Sequence, residues 1–227
     1  ACEYQRNPSA NYHLCNETLR EEFYKNEWIK KKCEKYTIFL SQASYPVKGL
    51  HYVLEALPIV LKKFPKTKLY VAGCDITANK TVKEKLKFSS YAKYIKEMIR
   101  NLDISNCVVF TGILDEKQMC DRYLKSNVFV CPSTIENSPN SLGEAMLLGV
   151  PCIASNVGGV SDMLKHKEEG YVYQADAAYM LAHYICELFE NEELTLKFSE
   201  NGRKHALQTH DSTKNTKRLM EIYENIS

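Results

Sequence analysis

At 227 residues the chain is about one and a half typical domains long, and its 44% hydrophobic and 26% charged residues describe an ordinary globular protein. Nine glycines and seven prolines are too few for a collagenous, linker-like or disordered chain, and a net charge of +2 gives no electrostatic case for nucleic acid or an anionic membrane. The nine cysteines contain no Cys-x-x-Cys, which excludes ribbon-type zinc sites and thioredoxin-type redox motifs. Cys107, Cys131 and Cys152 lie in apolar, strand-like runs, so buried thiols in a reducing compartment are expected. The histidines are scattered, and no metal ligand set or cofactor motif is visible.

In chain order, residues 1–15 read as irregular, and Thr18-x-x-Glu21 reads as a capping box opening a helix that runs to about Lys32. Tyr36–Gln42 is a strand. An amphipathic helix follows from Gly49 to Phe64, its apolar set Leu50, Val53, Leu54, Leu57, Val60, Leu61 and Phe64 keeping the 3.6 period despite Pro58. Lys68–Gly73 is the next strand, followed by a polar loop and a helix near Ser89–Leu102. Strand Cys107–Phe110 precedes a helix over Asp115–Ser126, and strand Asn127–Cys131 precedes a helix over Ser141–Leu148 closed by Gly149. Cys152–Ser155, a short helix after Gly158-Gly159, and Gly170–Tyr173 complete the alternation, and the rest is helical. The longest apolar stretch, Ala145–Ala154, is ten residues and is interrupted by Gly149 and Pro151, whereas a bilayer span needs about twenty. No transmembrane segment is expected.

Six short apolar strands, each followed by a helix, imply a parallel sheet covered on both faces. The expected fold is α/β: a doubly wound, six-stranded, Rossmann-like domain over about 34–190, with helices of 191–227 packing back on it. Ligands of such sheets sit at the carboxyl ends of the strands. The loops there contain no Gly-x-Gly-x-x-Gly, no P-loop and no Gly-x-Ser-x-Gly, which argues against a dinucleotide dehydrogenase, a P-loop enzyme and a hydrolase triad.

Instead, Glu136 and Glu144 are separated by seven residues across a strand end and a helix start. A helix N-terminus behind a strand suits a diphosphate. A carboxylate in the first helical turn can accept both hydrogens of a ribose cis-diol, and one at the strand end would face a sugar beyond the diphosphate. The same spacing also fits Ser141-x-x-Glu144 as a capping box and Glu136 as a solvated loop charge, and spacing alone does not choose.

Pro132-Ser133, Glu136, Glu144-Ala145-Met146, Gly149-Val150-Pro151 and Gly158-Gly159, in that order, resemble the carboxyl-terminal, donor-binding half of the retaining group 1 glycosyltransferases of GT-B fold. The likeness runs from the first strand to about Tyr173 and includes Lys48-Gly49, Leu69–Gly73 and Val108–Gly112. It implies that the chain binds a nucleotide-diphosphate sugar for metal-independent transfer with retention, in polysaccharide or glycoconjugate synthesis. It further implies that Glu144 holds the ribose and that Glu136 contacts the transferred sugar. Ser138 and the amides around Asn140, Ser141 and Leu142 would bind sugar and phosphate. Gly112, Ile113 and Leu114 would meet the base, and Lys48 would neutralise the diphosphate. A Lys opening a helix opposes the macrodipole, which gives that last role an independent hint.

The pattern departs mildly at Asp162, where a Glu commonly follows the Gly-Gly turn, and chiefly at Gln42 and Ala43, which stand where the family usually places an Arg. The missing Arg keeps open an alternative, a non-catalytic nucleotide-sugar binding module. The resemblance also makes residues 1–33 a junction segment, with a helix, from an amino-terminal domain that would hold a carbohydrate or lipid-linked acceptor. It implies a cytoplasmic protein, or one peripheral to a membrane at full length.

Overall fold

The computed structural model describes residues 7–78 and 90–225, so part of the polar loop expected after Gly73 and the N-terminal hexapeptide lie outside the described residues. The six expected strands form, each within a residue or two of the expected bounds. They are β1 (Thr37–Leu40), β2 (Lys68–Val71), β3 (Val108–Phe110), β4 (Val128–Cys131), β5 (Cys152–Ser155) and β6 (Gly170–Tyr173). All pairings are parallel and the order is β3-β2-β1-β4-β5-β6. The central strands β1, β4 and β5 are buried throughout, as strands covered on both faces must be. The edge strand β3 is the least buried, with Val109 exposed.

The helices are α1 (Glu22–Lys25), α2 (Leu50–Lys63), α3 (Ser90–Asn101), α4 (Glu116–Leu124), α5 (Asn140–Leu148), α6 (Val160–Met163), α7 (Ala178–Glu190), α8 (Glu192–Thr209) and α9 (Ser212–Glu224). One face of the sheet is covered by α2, α3 and α7, where Leu50, Val53, Leu54, Leu57 and Val60 are fully buried. Each such side chain contributes about 1.5–3 kcal/mol relative to leaving it exposed, which explains how α2 runs unbroken through Pro58. The other face is covered by α4, α5 and the N-terminal segment, around an aromatic cluster of Phe23, Phe39, Tyr123 and Phe129. Among the described residues, no helix is long and apolar enough to cross a membrane.

The helix expected over residues 16–32 does not form. The chain there is extended, makes the single turn α1, and then a 3-10 turn at Lys30–Lys32. Glu21 caps nothing and pairs with Lys25 at 2.7 Å instead. Tertiary contacts override the local capping signal: Leu19, Phe23 and Trp28 are buried against the sheet's second face. Trp28 donates its backbone N–H to Leu148 O (2.7 Å) and its indole N–H to Ser126 O (2.8 Å). The segment is also tied to the far end of the chain. The Tyr24 hydroxyl donates to His210 O (2.6 Å), and Arg203 in α8 donates to Asn26 O and Leu147 O.

Candidate functional site

The strand order reverses between β1 and β4, so the loops after these two strands leave in opposite directions and open a crevice at their carboxyl ends. The loops are joined there. Thr134 N–H donates to Val47 O (2.8 Å), and Gly49, at φ 71°, packs so closely that a Cβ would lie 1.9 Å from Pro132 O. A third loop, after β5, closes the other side. The Ser155 hydroxyl bonds Ser133 O, Gly159 N–H bonds Asn137 O at 3.0 Å, and a Cβ on Gly158 (φ 52°) would sit 1.7 Å from Glu136 O. The glycines of the Gly-Gly turn therefore fix the backbone at Glu136.

Within this frame the Lys48 ammonium, at the end of a 3-10 turn just before α2, meets Glu136 Oε1 at 2.5 Å. Lys48 is 27% exposed and Glu136 13%, so the pair is partly buried and still meets water, and its short contact is a charge-assisted hydrogen bond. The carboxylate also offsets the cation placed at the start of α2. Beneath them the Cys131 thiol is pushed up to about 11 by burial and by the Glu136 charge.

Helix α5 starts at Asn140 behind Pro139 and has no side-chain cap. The Ser141-x-x-Glu144 capping box does not form, which removes that reading of Glu144. Leu142 and Gly143 N–H turn back to Pro139 O, and the amides of Asn140 and Ser141 remain at the open helix end. Ser138 lies in the loop just ahead, its hydroxyl 3.6 Å from Met163 Sδ. Glu144 is the fifth residue of α5 rather than in its first turn, and it is almost fully buried.

Glu144 has a partner with no signal in the local sequence. Arg20 grips it with a two-pronged hydrogen bond, Nε to Oε1 at 2.7 Å and Nη2 to Oε2 at 2.8 Å. That bond holds the guanidinium above its ordinary pKa. Tyr123 of α4 lies beside the pair; its hydroxyl donates to Ser141 O (3.0 Å), and burial, with the Glu144 charge added, pushes the phenol well above its usual range.

The turn Gly112-Ile113-Leu114 leads from β3 into α4, whose Asp115 cap and Gln118 form a complete capping box. Ile113 is 80% exposed, and Gly112 O accepts Gly73 N–H at 2.9 Å. This turn lies at the same carboxyl edge, two strands from β1, on the order of 10 Å away. The structure thus brings Lys48 to Glu136 and places Ser138, Asn140, Ser141, Leu142 and Glu144 along the β4–α5 junction, with the Gly112–Leu114 turn flanking it. At the family's Arg position Gln42 is exposed and Ala43 is buried in the core. Among the described residues no group of three or more His, Cys, Asp or Glu could hold a metal ion.

The family model described as "Glycosyl transferases group 1" matches residues 20–205. The chain belongs to that family. It is 26% identical over 210 residues to YtcC of Bacillus subtilis (strain 168), which carries a glycosyltransferase name; the match covers 92% of this chain and 49% of that one. The chain spans about a third to a half of the length of the curated relatives it matches first. Its fold is that of the carboxyl-terminal domain of a group 1 family protein, LpcC, from Francisella tularensis (TM-score 0.63, 22% identity, 85% of this chain and 94% of that chain). It is also that of Anabaena HepE, solved in complex with UDP-glucose (TM-score 0.72, 20% identity, 85% of this chain and 49% of that chain). The sheet and its flanking helices are one Rossmann-like half of a GT-B glycosyltransferase.

Proposed function

We propose that this group 1 domain binds a nucleotide-diphosphate sugar and serves as the donor half of a retaining glycosyltransferase in polysaccharide or glycoconjugate synthesis. The observation that carries this reading is the convergence of a cation, an uncapped helix end and two carboxylates at one topological switch point. A nucleotide diphosphate has a matching order of needs: donors for its phosphates, an acceptor for its ribose hydroxyls, and an acceptor for the sugar beyond. HepE's UDP-glucose complex supports the same class of donor.

In this reading Lys48 and the amides of Asn140 and Ser141 face the diphosphate, whereas the Leu142 amide expected to join them is already bonded to Pro139 O. As the bond from sugar to phosphate breaks, negative charge grows on the departing diphosphate, and a preorganised cation and amide set stabilises that charge more than it stabilises the intact donor. Lys48 then exchanges part of its contact with Glu136 for the phosphate oxygens, and Glu136 becomes free to accept from the sugar hydroxyls. Ser138 lies between the two carboxylates in sequence and adds a hydroxyl. The exposed Ile113, with Gly112 and Leu114, meets the base. The steps assigned to these residues use no metal. Transfer itself requires an acceptor domain, so the chain by itself is expected to show negligible transferase activity. A carbohydrate or lipid-linked acceptor and a cytoplasmic or membrane-peripheral location belong to this reading.

Titration calorimetry with UDP-, GDP- and ADP-sugars tests it: one series should bind, and Glu144→Ala should weaken that binding by about tenfold or more. Unchanged binding by Glu144→Ala would defeat the site assignment. The exposed Gln42 and buried Ala43 favour a second reading, a module that binds the donor without transferring it. Joining the chain to a group 1 acceptor domain and assaying transfer separates the two.

A further inference from the structure

The first thirty residues bear on the site more directly than a connecting segment would. Arg20 reaches Glu144 across 124 positions of sequence and makes both hydrogen bonds that the carboxylate accepts among the described residues. Three further contacts hold the segment in place. Glu22 N–H bonds Glu116 Oε1 at the start of α4 (3.1 Å), the Arg20 guanidinium lies 4.6 Å from the Phe23 ring centroid, and Phe23 is fully buried.

Gly143 shows how close the approach is. Although it sits inside α5, where glycine weakens a helix, a Cβ there would lie 2.9 Å from Leu19 Cδ1 and 2.8 Å from His210 Nε2. The helix gives up a side chain next to Glu144 so that the segment bearing Arg20 can lie against it. Arg20 is itself 40% exposed whereas Glu144 is 7% exposed, so the buried carboxylate depends on the pair for its compensating charge.

We propose that Arg20 is a positioning residue of the donor site, fixing the Glu144 carboxylate in the rotamer that receives the ribose hydroxyls. This rests on the donor reading above. A carboxylate offers about four lone-pair sites. The fork uses the inward-facing lone pair on each oxygen, which leaves the outer side of the carboxylate to accept from the ribose. The planar guanidinium sets the plane of the carboxylate, so the free lone pairs point in defined directions. The donor site thereby extends to the segment that precedes the sheet.

The test is titration of the 227-residue chain with UDP, GDP and ADP, and with the 2′-deoxy form of each, for the unsubstituted protein, R20Q and R20K. The unsubstituted chain should prefer the ribose form of its nucleotide by about tenfold or more, the effect of a hydrogen bond to a charged group. R20Q should bring the ratio near one, and a thermal melt run beside it reads separately the cost of leaving the buried carboxylate without its cation. R20K, which keeps the charge without the fork, should give an intermediate ratio. An unchanged ratio in R20Q overturns the proposal, as does equal tightening of both forms, which would make Arg20 a plug. If R20Q fails to fold, R20K decides alone: a lowered ratio supports the assignment and an unchanged one overturns it. Absence of any nucleotide binding by the unsubstituted chain overturns the donor reading itself, and this inference with it.

Discussion

Replacing Lys48 with Ala separates two jobs the ammonium holds, one in the fold and one in the site. In the fold it is half of an ion pair, 2.5 Å from Glu136, with 27% of its side chain exposed. Pairs that remain in contact with water contribute about 0–1 kcal/mol, and about 1 kcal/mol lowers Tm by roughly 2–4 °C in a chain of this size. In the site, the proposed contact to a diphosphate is a charge-assisted hydrogen bond. Such bonds contribute about 1.5–3 kcal/mol, which is about 10- to 150-fold in Kd.

The two effects therefore differ in size and in what they depend on. Calorimetry of K48A with a nucleoside diphosphate, the monophosphate and the free nucleoside should show a large loss for the first, a smaller loss for the second and no loss for the third. The loss should shrink as salt rises, since part of it is screened. Glu136→Gln should act in the opposite direction on the bare diphosphate. Freed of its carboxylate, Lys48 binds phosphate at least as well, while binding of the complete sugar donor weakens. If K48A bound the diphosphate as the unsubstituted chain does, or lost the free nucleoside equally, Lys48 would be a structural ion-pair partner only.

Three other perturbations probe the frame around the site. Trp28→Ala removes a buried indole together with its hydrogen bond to Ser126 O, and should cost about 3–5 kcal/mol in urea unfolding followed by circular dichroism. With one Trp in the chain, the fluorescence of the unsubstituted protein reports that same docking, and its emission should shift to the red as the segment detaches. Gly158→Ala forces a Cβ into Glu136 O and strains a positive φ, so stability should fall by more than about 1 kcal/mol and donor affinity should fall with it. Burial raises the thiols from an ordinary 9.0 to about 12 for Cys33 and about 11 for Cys120 and Cys131. The folded state thus holds protons that the unfolded state releases, so the contribution to stability is complete below pH 9.0 and is lost as pH rises through about 11–12. A thiol reagent at pH 8 should label the exposed Cys74 first among the described cysteines and leave Cys131 and Cys152 unlabelled until the chain unfolds.

The sheet was legible because its signals are local. The TIFL, VFVC and CIAS runs are apolar but for Thr37 and Ser155 at their ends, and runs that short, bounded by turn residues, fit strands covered on both faces. Lys48, Glu136 and Glu144 could be singled out for a related reason: they lie at strand ends and helix starts, in an order that reads as a motif. The segment before β1 was not legible. Thr18-x-x-Glu21 and the charged run around it carry a helix signal, but the structure there is set by Leu19, Phe23 and Trp28 finding partners about a hundred or more residues away. Local propensity yields where burial is large and the competing helix is too short to stand alone. Arg20 was missed for the same reason, since its meaning depends wholly on Glu144.

The two acidic residues of the motif end in opposite circumstances, and the difference bears on their proposed roles. Glu136 shares a single ammonium, on a flexible stem, that a phosphate can draw away; its pairing is exchangeable. Glu144 is held by a rigid fork whose bearer is anchored by the buried Phe23 and by the bond from Glu22 to Glu116; its pairing is fixed. A group that must hold one ribose in one place is served by a fixed partner. A group that must let its cation follow the charge onto the leaving diphosphate is served by an exchangeable one. Swapping the cations, as Lys at 20 or Arg at 48, should therefore be more harmful than the conserved charge suggests. In the first case the ribose carboxylate loses its plane, and in the second the sugar carboxylate is gripped too firmly to release its cation.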